Sequence, residues 1–297
     1  MQQKRVGFAR WRRAGLAVAL ALAAGQWVAA ETVPPSPSVQ ERVEAQARAQ
    51  EAQRRQALDQ AAVEAVALLE EGLRLLGRRE LPTAATALQR AESRLSELAR
   101  RRPDLLRAPV DLDVVVRDLI ADPATVRSTV REAVALLERS QVLRARRLLA
   151  DLGSEVEFRT TYLPVAPALA AVRRAREALE AGEVDEAVAA IQRTLDGRVV
   201  VEEVVALPLL RARELLADAR RLAARAPLDE ADRRRLEELL AEVRKQIELA
   251  EVLGYGPEAS FAELRRALHE LPARGESRRA GWLERIERLL GELVPQR

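Results

Sequence analysis

The sequence predicts an all-α protein: antiparallel helical hairpins packed as a bundle, with a long N-terminal helix and a helical C-terminal extension. Three observations carry that reading. Ala, Leu, Val, Arg and Glu dominate while aromatics make up 3%, a composition that suits helices better than sheets. Proline and glycine cut the chain into segments of helix length. A helix–turn–helix pattern also occurs twice at an offset of 42 residues: Ala133, Leu137, Ser140, Ala145 and Leu149 are matched by Ala175, Leu179, Gly182, Ala187 and Ile191. In each copy a turn at Ser140 or Gly182 joins two helices. Small residues let the helices approach, and leucines fill the seam.

The elements follow in order. Lys4, Arg5, Arg10, Arg12 and Arg13 form a basic start, Ala14 to Ala24 is apolar, and Val28-Ala29-Ala30 supplies small residues. That order is a secretory signal over 1–30, with cleavage expected after Ala30 and a periplasmic or otherwise exported product. The apolar run is about half the roughly 20 residues a spanning helix needs, so no membrane span is expected after cleavage. The whole chain has 49 basic and 46 acidic residues, net +3; without the five charges of the signal it becomes net −2. The pI of 9.9 therefore belongs to the precursor, and nucleic acid is not an expected partner. Cysteine is absent, so neither a lipidated cysteine nor a disulfide is available to an exported chain.

Residues 31–58 read as a Pro/Ser tether followed by the polar start of a long helix. From Gln40 to Gly77 there is no proline. The first half of this stretch is polar almost all round and is expected to project or fray. The second half gains a stripe of Val63, Val66, Leu69, Leu73 and Leu76, and Gly77 ends it. Residues 59–225 form the hairpin domain. Leu81-Pro82-Thr83 starts a helix with Leu88, Leu95 and Leu98 on one face, closed by Arg100-Arg101-Arg102-Pro103. Residues 103–123 carry Pro103, Pro109 and Pro123 and are expected to be a packed loop with a helical turn, because Val114-Val115-Val116 lacks an evident strand partner. The β-branched stretch 198–208 is either extended or a strained helix end.

Residues 226–297 form the C-terminal extension. Pro227 breaks the preceding helix, and Asp229 caps a long helix to Leu253. Gly254-Tyr255-Gly256-Pro257 stops it. Ser260 and Glu263 have capping-box spacing. Two short amphipathic helices, split by Pro272 and Gly275, finish the chain.

Tyr162-Leu163-Pro164, the hairpin turn ALEAGEVDEAVAAI at 178–191 and Val199-Val200-Val201-Glu202-Glu203, preceded by hairpins at 62–98 and 132–152, together resemble the YfdX family. The likeness covers about 60–220, and Leu253-Gly254-Tyr255-Gly256 resembles the C-terminal part of longer members. The resemblance implies an exported, helical, self-associating protein of the periplasm, linked to acid and drug stress, with chaperone-like protection of other proteins. It brings no established catalytic residues. The polar helix at 40–60 and the large C-terminal part depart from the family pattern.

The residues themselves point away from catalysis. His269 is the only histidine, so a His-based metal site or relay is excluded, and its place near a helix end suits a structural or exposed role. Acidic residues alternate with arginine at helical spacing, as in Arg234 and Glu238, which is the pattern of a solvated, ion-paired face. The glycines form no phosphate loop. No cofactor and no catalytic residue is expected. Phe158, Tyr162 and Leu163, beside Pro164 and Pro167, are the candidate contacts for a ligand or client; core packing under a proline corner is the default for such residues. The expected function is a non-enzymatic stress protein that binds unfolded clients and self-associates. The alternative is a hairpin scaffold for a specific peptide or small molecule. Its 42-residue offset and missing aromatics separate it from tetratricopeptide arrays, which repeat at about 34 residues. N-terminal sequencing of the chain after export should begin at Glu31; a retained Met1 would exclude the cleavable signal.

Overall fold

Helices form where the apolar stripes recur, and strands form where β-branched runs meet across long separations. A computed structural model describes residues 37–225, 227–270 and 276–293. Its helices are α1 (Pro37–Gln56), α2 (Gln60–Gly77), α3 (Leu81–Arg101), α4 (Pro123–Glu138), α5 (Val142–Leu149), α6 (Val165–Glu180), α7 (Val184–Asp196), α8 (Leu207–Ala223), α9 (Glu230–Val252), α10 (Glu258–His269) and α11 (Glu276–Leu293). The strands are β1 (Arg107–Arg117), β2 (Glu155–Pro164) and β3 (Val199–Ala206). The described residues are predominantly helical, as the composition predicts, and α2–α3, α4–α5, α6–α7 and α8–α9 pack as hairpins. The signal with its expected cleavage after Ala30, and the break at Pro272 and Gly275, lie outside the described residues.

The 42-residue echo holds to the residue. α4 begins at 123 and α6 at 165; α5 begins at 142 and α7 at 184. Ser140 (φ 59°) and Gly182 (φ 80°) occupy the same left-handed turn position. Glycine adopts it freely, whereas Ser140 bears a strain of about 1 kcal/mol.

Residues 103–123 are not a packed loop with a helical turn: 107–117 form β1. Its partner β2 lies beyond a whole helical hairpin, so a reading of neighbouring residues finds no mate for the valine run. Val114, Val115 and Val116 stand opposite Phe158, Glu157 and Val156. β2 also pairs with β3, giving an antiparallel sheet in the order β1-β2-β3. The β-branched stretch at 198–208 is thus an edge strand. The repeating unit is a strand followed by a helical hairpin.

A register shift between Pro109 and Asp111 marks a bulge in β1. Pro109 is tolerated there because the strand is an edge and the ladder is already interrupted. The bulge changes the face that β1 presents. Ala108 and its partner Leu163 belong to a core made by α2, α3, α6 and α7. Beyond the bulge, Leu112 joins Phe158 and Val156 in a second core made by α1, α8, α9, α10 and α11. Leu163 and Phe158 lie an odd number of residues apart, so the two cores meet opposite faces of β2.

The long N-terminal helix breaks at residues 57–59. Asp59 caps α2, accepting from the Ala61 and Ala62 N–H groups at 3.0 and 3.2 Å, while its own N–H donates to the Pro109 carbonyl at 2.9 Å. Nor does the polar segment project. Val39, Val43 and Ala47 recur every fourth residue and are buried in the second core with α8. Arg42 pairs with Glu214 at 2.6 Å and Asp218 at 2.8 Å. A stripe this narrow is outweighed by the charges around it in any average over the helix.

The C-terminal extension packs on α8 and α9, and one core spans both sides of residue 226. Phe261, Leu264, Leu268, Leu283, Ile286 and Leu290 all contribute to it. Asp229 caps α9 through the Asp232 N–H at 2.7 Å, and Gly254, at φ 80°, stops the chain after it. The Ser260–Glu263 capping box does not form, because α10 starts earlier, behind Pro257. Val43→Asp should destabilise the chain by on the order of 3 kcal/mol, since it buries a carboxylate with no partner. Urea melts would show this, and a loss below about 0.5 kcal/mol would mean that α1 is not held on α8.

Candidate functional site

The three residues singled out in sequence do not line one groove. Phe158 is fully buried in the second core, with the Arg54 guanidinium 4.1 Å above its ring. Arg54 also pairs with Glu203 at 2.6 Å, so the end of α1 is clamped onto β2 and β3. Leu163 is fully buried in the hairpin core, on the opposite face of β2. Tyr162 is half-buried under Arg107, 5.9 Å away. His269 is exposed at the end of α10.

A charge ladder crosses the sheet on the face opposite Phe158. Arg117 Nη1 bridges Glu155 and Glu157, each at 2.8 Å. Arg159 reaches Glu157 at 2.5 Å and Glu202 at 3.2 Å. Burial works against the charge of Glu157, but the hydrogen bonds from Arg159 and Arg117 outweigh it and hold its pKa below the ordinary value.

At the end of this ladder the two parts of the chain are tied together. Arg211 on α8 is buried, and its Nη2 lies 2.7 and 2.8 Å from the two carboxylate oxygens of Asp118. The same Nη2 and the Nε of Arg211 reach Gln40 Oε1 on α1 at 3.0 and 3.2 Å, and its Nη1 lies 3.5 Å from Ser154 Oγ. The Ser154 N–H donates to the Tyr255 hydroxyl at 2.8 Å, and that hydroxyl donates to Glu155 at 3.0 Å. Burial pushes the Tyr255 phenol far above its usual range, so it stays protonated as a donor. None of these residues stands out as a constellation in sequence. The available signal was Arg211 itself, a charge inside the apolar run Leu207-Pro208-Leu209-Leu210 and Leu215-Leu216.

Five large apolar residues stand exposed on α4–α5. Leu143 is 72% exposed, Val142 57%, Leu137 47% and Leu149 42%, with Val134 alongside. The repeat mate differs in one respect. Ile191, at the place of Leu149, is 1% exposed, because α6 and α7 dock on α3 and α2. A polar cleft of about 620 Å³ also lies between α3 and α6, lined by Ser93, Ser96, Arg100, Leu169 and the Arg173 and Arg176 pair that grips Glu92. Among the described residues no group of His and carboxylates is placed to hold a metal ion, and no helix is long and apolar enough to cross a membrane.

The class defined by this arrangement is a helical-hairpin protein threaded on a three-stranded antiparallel sheet, with an apolar hairpin face on its surface. The profile of the YfdX protein family matches residues 65–205, from α2 to the end of β3. A solved structure of Salmonella Typhi YfdX is similar at 14% identity with a TM-score of 0.36, covering 50% of this chain and 93% of that one. No curated relative matches the chain.

Asp118→Ala should cost about 3–5 kcal/mol by leaving the buried Arg211 guanidinium without its counter-charge. Combining it with Arg211→Met should recover most of that loss. A double variant no more stable than Asp118→Ala alone, in urea titrations, would show that the pair is not coupled.

Proposed function

We propose that this chain is an exported, non-enzymatic YfdX-family protein of the periplasm that acts in the envelope response to acid and drug stress, self-associates, and holds unfolded proteins in a chaperone-like manner. The observation that carries the reading is the α4–α5 face. Folding has left Leu137, Val142, Leu143 and Leu149 in water, where an unfolded segment can cover them.

Acid acts on carboxylates that brace the α4 cap, the α3–α6 contact and the sheet. Glu92 has its pKa lowered by the hydrogen bond from Arg176, against burial and with help from Arg173. Asp122, the N-cap of α4, is lowered by the Thr125 hydroxyl and N–H. Glu157 is lowered as described. Each folded-state value lies below the unfolded one, so the stabilisation is complete above about pH 5 and is lost as pH falls through the lowered values. Arginine stays charged throughout, and the protonated chain then repels itself. The α4 cap, the α3–α6 contact and the sheet ladder therefore weaken together, which loosens the hairpins and exposes more of their seams.

A second reading, a scaffold for a specific small molecule or peptide, is favoured by the arginine-lined cleft between α3 and α6. Client aggregation and hydrophobic-dye binding, followed at neutral pH and at about pH 3, separate the two. Protection and dye binding should rise in acid and fall in a Leu137→Ser, Leu143→Ser variant. Absence of protection at both pH values, or protection untouched by the variant, would remove the chaperone reading.

A further inference from the structure

The internal repeat shows what an α4–α5 face is built to receive. Over 165–191 the second copy is covered by a helical hairpin: α6 lies along α3 and α7 meets α2. Its small residues Ala175 and Ala187 are buried, as are their counterparts Ala133 and Ala145 in the first copy. The large residues diverge. Val172 and Ile191 are buried, and Leu179 and Val184 pack against the hairpin core. Their counterparts Leu137, Val142 and Leu149 are exposed, and Val130 is only half-buried. The first copy therefore has the surface that its mate uses for docking, without the hairpin that covers it.

Charge specifies the occupant further. Residues 123–149 hold six arginines against Glu132 and Glu138, net +4, whereas 165–191 hold three arginines against five acids, net −2. Among the described residues no carboxylate pairs with Arg144, Arg146 or Arg147; Arg144 and Arg147 bond only to Gln141 and the Leu143 carbonyl. In the docked copy, Arg173 grips Glu92 on the opposing helix at 3.0 Å. Its counterpart at the 42-residue offset is Arg131, which is exposed.

We propose that the α4–α5 face is a docking surface for an acidic amphipathic helix of a partner protein, received in the way that α6–α7 receives α3 and α2 within the chain. The leucines and valines take the partner's apolar stripe, and Arg131, Arg144, Arg146 and Arg147 take the carboxylates flanking it. Two copies meeting through this face would oppose arginine to arginine, so a second copy is the poorer occupant. The inference rests on the reading of α4–α5 as the binding surface and adds the chemistry of what it selects.

The test uses the exported chain at neutral pH and two labelled peptides of about 20 residues, long enough to form helix. The two share one leucine stripe, and glutamates flank it in one and lysines in the other. Fluorescence anisotropy should show the acidic peptide binding about tenfold or more tightly than the basic one, with the preference shrinking at high salt. Arg144→Glu, Arg146→Glu, Arg147→Glu should reverse the preference, and because the comparison is between peptides on one protein, a fold defect cannot mimic the reversal. Equal binding of both peptides would overturn this inference while leaving a purely apolar client surface standing. Failure of both to bind would remove the surface itself. Binding of phosphatidylglycerol vesicles with no peptide preference would mark a lipid-facing patch and overturn the proposal. So would a dimer, seen by sedimentation, that dissociates in the triple variant.

Discussion

Every layer of this molecule is referred to the ten residues of β2. The strand pairs on both edges, with β1 and with β3, and its two faces meet different helical cores at different ends. The bulge in β1 makes that possible. Without the extra residue beside Pro109, the core-facing residues of β1 would stay on one face, and the two cores could not both close on the pair. The helices outside the matched region join it mainly by packing on the sheet, with backbone hydrogen bonds at Asp59–Pro109 and Leu207–Ser154.

Polar contacts secure the same junction. Arg211, Asp118, Gln40, Ser154 and Tyr255 come from α8, from the segments that follow β1 and precede β2, from α1, and from the turn after α9. A buried guanidinium is costly unless its donors are met, and here a carboxylate and an amide meet them. Such a cluster adds little net stability over apolar packing, but it penalises any arrangement in which α1 or the C-terminal turn sits elsewhere. It is a constraint on position, at the seam between the region that matches the YfdX profile and the rest of the chain.

The two copies of the hairpin illustrate how one sequence pattern meets two fates. Both preserve the alanines at the crossing and the left-handed turn, so both fold in the same way. One has α2–α3 to cover it, whereas among the described residues the other packs mainly against α9, with an ion pair from Arg127 to Glu248. The uncovered copy holds apolar residues at these places and is net +4, against net −2 for the covered one. That combination is the ground on which the docking surface is proposed.

By itself the sequence determined the helices, because amphipathic periodicity, proline and glycine stops, and the Asp229 cap are local signals. The hairpin echo was legible for the same reason: an offset is visible without any knowledge of contacts. What only the tertiary structure decided were the features that depend on partners far along the chain. Val114-Val115-Val116 needed β2 to become a strand, Val39-Val43-Ala47 needed α8 to become a buried face, and Asp59 became a cap only where the helix meets β1. Phe158 and Leu163 were recognisable as apolar, yet their assignment to opposite cores became readable only once 155–164 was known to be a strand, where an odd spacing puts them on opposite faces. The exposed face of α4–α5 was the least legible of all, since its leucines read in sequence as a seam to be filled, and exposure depends on which of two similar hairpins α2–α3 covers.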